Sequence, residues 1–340
     1  MSGEAAIYQN QQHRYRLLLA VGTVLGVFVF ILSLCAGNYA TSPAEVVYAV
    51  LSPEEYPQIH SIIFLSRLPR LIAAVFVGAA LSAAGLVYQD LFSNRMASPD
   101  ILGVSAGASV GASISVFFGL SFSLMSLFSF LGGIVAVVLT VVASCLFSQE
   151  GGESVSLILA GIVVGGLMNS LLGLFKYLSN DAQLSTITFW LMGGFYNTSY
   201  RQLSVACPII GCGLIVLILL RWEIVMLRGG DRDAAIHGIN ARVVRYTCVT
   251  VTTVITAVSI CISGTIGWIG LAIPNLMRLM VRNDGRMLLP LSITYGIFFT
   301  EVCDLLARSI TNTEIPVGII SGLLGAVMFI SVLAVQRRRE

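Results

Sequence analysis

Residues 66–92 read SRLPRLIAAVFVGAALSAAGLVYQDLF. Behind the two arginines the chain runs without a charge from residue 71 to residue 89. A bilayer core about 30 Å thick is crossed by about 20 apolar helical residues, so the stretch predicts a membrane helix whose mouth carries Arg67 and Arg70. Pro69 restricts Leu68 and is expected to fix where that helix begins. Working outward from it, ten such runs can be marked, at 17–35, 71–92, 101–120, 124–147, 155–175, 203–220, 243–262, 266–281, 288–306 and 317–335. The expectation is an all-α integral membrane protein of about ten transmembrane helices, forming one transmembrane domain over residues 1–340.

Composition agrees. Of 340 residues, 56% are hydrophobic and 11% charged, against roughly 25% charged in a soluble domain. A net charge of +2 gives no reason to expect a nucleic-acid partner, and membrane lipid is the expected surroundings. The polar arm MSGEAAIYQNQQHRYR precedes the first run without a small-residue cleavage site, so the first helix is expected to be retained. Seven cysteines, at 35, 145, 207, 212, 248, 261 and 303, form no C-x-x-C pair and lie almost wholly within apolar runs, as packing residues do. No metal site and no cofactor are expected. Gly103, Ser105 and Gly107 match the hydrolase elbow pattern, but no strand precedes them and the histidines are His13, His60 and His237. The better reading is close helix packing by Gly103, Gly107 and Gly111, four residues apart on one face. No catalytic constellation is visible, and an enzyme is not expected.

The basic residues orient the chain. With ten spans and both termini cytoplasmic, the inner set is Arg14, Arg16, Arg95, Arg221, Arg228, Arg232, Arg242, Arg245, Arg278, Arg282, Arg286, Arg337, Arg338 and Arg339, and the outer set is Arg67, Arg70, Lys176, Arg201 and Arg308. Fourteen inside against five outside obeys the positive-inside rule. Arg67 and Arg70 thus stand outside, against the trend. Two readings are open: they snorkel to the outer headgroups, or they form a cationic dock for an acidic partner, since a guanidinium fork binds a carboxylate bidentately.

In order along the chain, RLPRLIAAVFVGAALSAAGLVYQDLF, SPDILGVSAGASVGA, LAGIVVGGLMNSLLG, FWLMGGF, GTIGWIGLAIPNLMRLMV, DGRMLLPLS, DLLAR and EIPVGIISGLLGAVMFI resemble the membrane subunits of ABC importers for iron siderophores, haem and vitamin B12. The resemblance runs from about residue 60 to the C-terminus. It implies a ten-helix permease of the type II importer fold in a prokaryotic inner membrane, paired with a second permease copy, identical or paralogous. It further implies two cytoplasmic ATP-binding subunits and an extracytoplasmic substrate-binding protein. The residues agree on one point independently: a P-loop needs G-x-x-x-x-G-K-[ST], and the single lysine, Lys176, follows Phe175. ATP hydrolysis is therefore expected on another chain.

The resemblance assigns roles. Arg67, Arg70 and Arg308 match outer arginines that dock the binding protein. The polar stretch 221–245, between the sixth and seventh spans, matches the coupling helices, with Gly230, Asp231, Ala234 and Gly238 at corresponding places. The apolar AAIHGI between charged flanks suits a helix inserted in a partner's groove, and His237 reads as a contact or cap residue. Asn94 and Met96, with Glu153, Ser154 and Val155, match an inner constriction on the pathway. Three departures stand out: Arg95 replaces a common proline, the loop EGGESVS around Glu153 is more acidic and glycine-rich than usual, and Asn275 stands where histidine is frequent. Asp304 is placed to pair with Arg308 at i+4. The rival class, an ion-coupled secondary transporter, would use Asp90, Glu301 and Asp304 as coupling groups. Among importer cargoes, a ferric siderophore is expected, with haem and cobalamin as alternatives.

Overall fold

The computed structural model describes residues 3–37, 39, 41–146, 153–281, 285–311 and 313–337, omitting the side chains of 3–10, 153, 232 and 286. Among the described residues, eight helices are long and apolar enough to cross a membrane, and Val104–Phe117 and Ile269–Val281 are shorter apolar helices. Together they account for the ten predicted runs.

The helices in chain order are α1 (Gly3–Cys35), α2 (Pro43–Leu51), α3 (Pro57–Ser61), α4 (Leu68–Leu91), α5 (Val104–Phe117), α6 (Phe122–Ser144), α7 (Glu153–Leu178), α8 (Asp181–Leu191), α9 (Tyr200–Leu219), α10 (Arg221–Leu227), α11 (Asp231–Ile236), α12 (Ala241–Ser263), α13 (Ile269–Val281), α14 (Gly285–Ser309) and α15 (Val317–Arg337). α4 is the hub. It packs against α9, α12, α13 and α14, with α1 outside α14 and the α5–α6–α7 group beyond α12.

The hub is tight because its seams are built on glycine. A methyl on Gly85 would collide with the Gly270 carbonyl, and one on Gly78 with the Gly296 carbonyl, so α13 and α14 approach α4 backbone to backbone. Gly107 and Gly111 do the same for α5 against α6. Gly103, expected on that face, instead takes φ +79 and separates a 3₁₀ turn (Pro99–Leu102) from α5. The run expected to begin at 101 thus begins as a helix at Val104.

The charged mouth also differs from expectation. Pro69 does not begin a helix: Pro57–Leu91 is one continuous helical segment, with a π-helical stretch over Ile62–Arg67. In that wider register Leu68 N–H bonds the Ile63 carbonyl, five residues back. The Phe64 carbonyl would then need the N–H of residue 69, which a proline lacks. The Tyr200 hydroxyl fills the vacancy, donating to the Phe64 carbonyl at 2.6 Å.

Candidate functional site

At the end of the bundle expected to face outward, Arg67, Arg70 and Arg308 are only 4%, 6% and 4% exposed. Their guanidinium groups are occupied within the chain, so three exposed forks are not what the structure presents. The physical reason lies in α1, which ends at Cys35 with no basic residue in its last turn and leaves carbonyls without helical partners. Arg308 donates to the Ser33 carbonyl at 2.9 Å and the Ala36 carbonyl at 3.2 Å. Arg67 donates to the Leu34 and Tyr39 carbonyls and, at 2.8 Å, to the Thr41 hydroxyl. Arg70 Nε meets Asp304 Oδ1 and its Nη1 meets Glu314 Oε2, both at 2.6 Å. Asp304 Oδ2 also lies 3.2 Å from Arg308 Nε, the i+4 pair expected from the sequence, although that contact lacks hydrogen-bond alignment. Glu314, 38% exposed at its side chain, is the member of this cluster that faces outward.

At the opposite end of the bundle, Asp90 near the end of α4 is clasped from two sides. Arg228, following α10, donates through Nε and Nη2 at 2.8 and 3.0 Å, and Arg278 of α13 donates at 2.6 Å. Ser93 adds a bond to the Arg228 carbonyl at 3.2 Å. Asp90 is thus set between Arg228 and Arg278, and Asp304 between Arg70 and Arg308, so each carboxylate is engaged by two guanidinium groups of this chain. Glu301, buried in α14, keeps one oxygen without a hydrogen-bond partner among the described residues.

The polar stretch 221–245 folds into α10 and α11, separated by Gly230 at φ +93 and closed by Gly238 at φ +74. Both values lie where a side chain is strained. Ala234 is fully buried beneath this turn, and Asp231 is pinned by Arg245 at 2.5 Å. His237 Nδ1 sits 2.8 Å from the Asp233 carbonyl, a local cap. Ile236, in contrast, is 80% exposed.

The predicted constriction is brought together in part. Ser154 at the start of α7 donates to the Leu91 carbonyl at 3.4 Å, joining the start of α7 to the last residue of α4, just before the 92–98 segment. Met96 and Val155 are exposed, and Asn94 Oδ1 accepts from the Met96 N–H at 2.9 Å. The side chain of Glu153 lies outside the described residues. Asn275 acquires a role the sequence did not show: its amide donates to the Arg95 carbonyl at 2.9 Å and to the Leu271 carbonyl at 2.8 Å, tying the 92–98 segment to α13.

A multi-pass helical membrane protein, in which a short polar loop of two helices is clamped to the end of a central span, suits a transport permease. The profile of the FecCD transport family matches residues 24–335, and the chain belongs to that family. It is 33% identical to the molybdate import system permease protein MolB of Haemophilus influenzae, covering 94% of this chain and 96% of that one. It is 35% identical to a protein of Helicobacter pylori named a probable iron chelatin transport system permease protein, over 83% of this chain and 85% of the relative. A solved metal-chelate-type ABC transporter in an inward-facing conformation superposes with a TM-score of 0.84 at 30% identity, over 94% of this chain and 99% of the other. The chain is accordingly an ABC importer permease, and ATP hydrolysis belongs to partner subunits.

Proposed function

We propose that this chain carries a bulky metal chelate, in the first instance a ferric siderophore, across the inner membrane of a prokaryote, with both termini cytoplasmic. Two permease copies, identical or paralogous, would enclose the path. ATP-binding subunits would seat on α10–α11, and an extracytoplasmic binding protein would deliver cargo at the outer end. Iron cargo is supported by the iron chelatin relative and by the metal-chelate type of the solved neighbour. Haem and cobalamin remain the alternative cargoes of the same machinery, distinguishable by the affinity of the partner binding protein.

The observation that carries the reading is the path from α11 to the constriction. An exposed Ile236 suits a groove in another chain. Displacing α10–α11 pulls on Arg228, which grips Asp90 and, through its carbonyl, Ser93. Ser93 opens the segment holding Asn94 and Met96, so a push from a nucleotide-driven partner reaches the constriction through side chains in contact. Docking by Arg67, Arg70 and Arg308 would proceed by exchange: an incoming carboxylate takes the place of Glu314 on Arg70, while Arg67 and Arg308 hold the end of α1 beneath it.

Ile236→Asp tests the coupling assignment. A charge on that surface should abolish co-purification of the ATP-binding subunits while the permease still inserts and elutes as the parent does. Undiminished capture of the ATP-binding subunits would remove α11 from the interface.

A further inference from the structure

A cavity of about 410 Å³ lies within the bundle, walled by α4, α5, α7, α12 and α13. Its size is that of a small-molecule site, and no arginine, lysine or histidine lines it among the described residues.

Irregular backbone meets here from two directions. α5 and α13 have 14 and 13 residues, about 20 Å each at 1.5 Å per residue, too short to cross a bilayer core alone. The stretches preceding them, 98–100 and 265–268, both border the cavity. Non-helical backbone at membrane depth persists where it is buried or lines a water-filled space, and broken helices of this kind mark substrate sites in transporters.

Three side chains give the space a character. Asp100 is surrounded by protein, yet its own surface is exposed in the cavity; Ser105 donates to it, and no basic partner reaches it among the described residues. The Thr256 hydroxyl, on a residue 1% exposed, has no hydrogen-bond partner in the described structure. Trp268 is held at φ +71, a conformation in which a bulky residue is an outlier and which concentrates at ligand and switch sites. Its ring stands 6.5 Å from Phe329 of α15 in an edge arrangement, so whatever meets Trp268 also bears on α15. Asn169 of α7 stands exposed on the facing wall.

Charge of both signs meets in the cavity, the positive part diffuse and the negative part localised. The first turns of α5 and α13 each contribute about half a positive charge, spread over backbone N–H groups. Among the described residues Asp100 is the one acidic or basic side chain that lines the cavity, and in its ionised form it localises a negative charge there.

We propose that this cavity is a cargo-contact site on the permeation route, in which the Asp100 carboxylate favours chelates bearing positive charge or hydrogen-bond donors and disfavours free oxyanions. The proposal rests on the importer reading for its cargo. It places this chain with carriers of cationic or neutral metal chelates, apart from its molybdate-importing relative.

The test reads the cavity directly. In the full-length chain in lipid nanodiscs, Asn169→Cys is modified with a trimethylammonium or a sulfonate methanethiosulfonate, and labelling of the peptide bearing that position is followed by mass spectrometry, which separates it from the native cysteines. Relative to a free thiol, the cationic reagent should react at least about tenfold faster than the anionic one, a ratio that even water-like screening of a nearby carboxylate charge allows, because the two reagents are shifted in opposite directions. Asp100→Asn should bring that ratio to about one, and Asp100→Glu should keep it, which guards against misfolding of the neutralised variant. A ferric trihydroxamate carrying a free amine should slow the labelling, and ferric dicitrate should not. An equal ratio in parent and Asp100→Asn, equal protection by both chelates, or a cysteine that neither reagent reaches would each overturn the proposal. No ATP-binding subunit is present in the assay, so these outcomes are separate from a failure of Ile236→Asp to release that subunit.

Discussion

At the scale of the residue, charge burial decides what each ionic group can do. Removing one partner of a buried ion pair leaves the other uncompensated, at a cost of about 3–5 kcal/mol, and Asp90 serves two cations at once. Asp90→Asn should therefore lower thermal stability sharply, and Arg278→Met in the same chain should recover part of the loss, because the more buried of the two stranded guanidinium groups is then gone. A melting curve of Asp90→Asn close to that of the parent would show the clamp to be dispensable. Sequence made Asp304 with Arg308 legible, because helical spacing alone puts i and i+4 together. It did not reveal that Arg228 and Arg278 converge on Asp90 from 138 and 188 residues away. Nor could it show Arg67 and Arg308 turned onto the end of α1, since Arg308 reaches carbonyls 272 and 275 residues distant. Local pattern gives the sign of a charge and its place at a helix end; the partner is a property of the fold.

At the scale of the element, length governs legibility. All ten apolar runs were readable, because each approaches the hydrocarbon thickness, whereas α2, α3 and α8, with 9, 5 and 11 residues, carry too few turns to announce themselves. The ends of α5 and α13 were misjudged because hydropathy does not report where a backbone unwinds. The π stretch before Pro69 belongs to the same class and yields a measurable coupling. Tyr200→Phe leaves the Phe64 carbonyl without its donor and should cost about 1 kcal/mol. In a Pro69→Ala background the restored N–H can serve that carbonyl, so the same Tyr200→Phe change should cost much less. A double-mutant cycle in chemical denaturation measures the difference. Strict additivity would mean that the tyrosine bond and the proline are unrelated.

At the scale of the whole molecule, the two ends differ in how they could meet partners. The end read as inner offers an exposed apolar residue on a glycine-bounded turn, and the end read as outer offers a carboxylate laid over a buried arginine. Exchange at Arg70 predicts that Glu314→Gln, by removing the resident competitor, should tighten docking of the binding protein by up to about fivefold, the worth of a partly exposed ion pair. Surface plasmon resonance on nanodisc-embedded permease would show it, and unchanged or weakened docking would sink the exchange. Between the two ends runs α4, sealed to its neighbours at Gly85 with Gly270 and at Gly78 with Gly296. Such seams bear on descent as well as on packing. At each pair either partner's gain of a single carbon wedges two helices apart, so neither position offers a neutral first step, and no second change elsewhere readily restores the contact. In a library of all single substitutions selected for uptake, these four columns should stay empty apart from the parent letter, while lipid-facing positions on α1 accept most apolar residues. The lineage is free to redecorate the outside of the bundle and is locked at its axis.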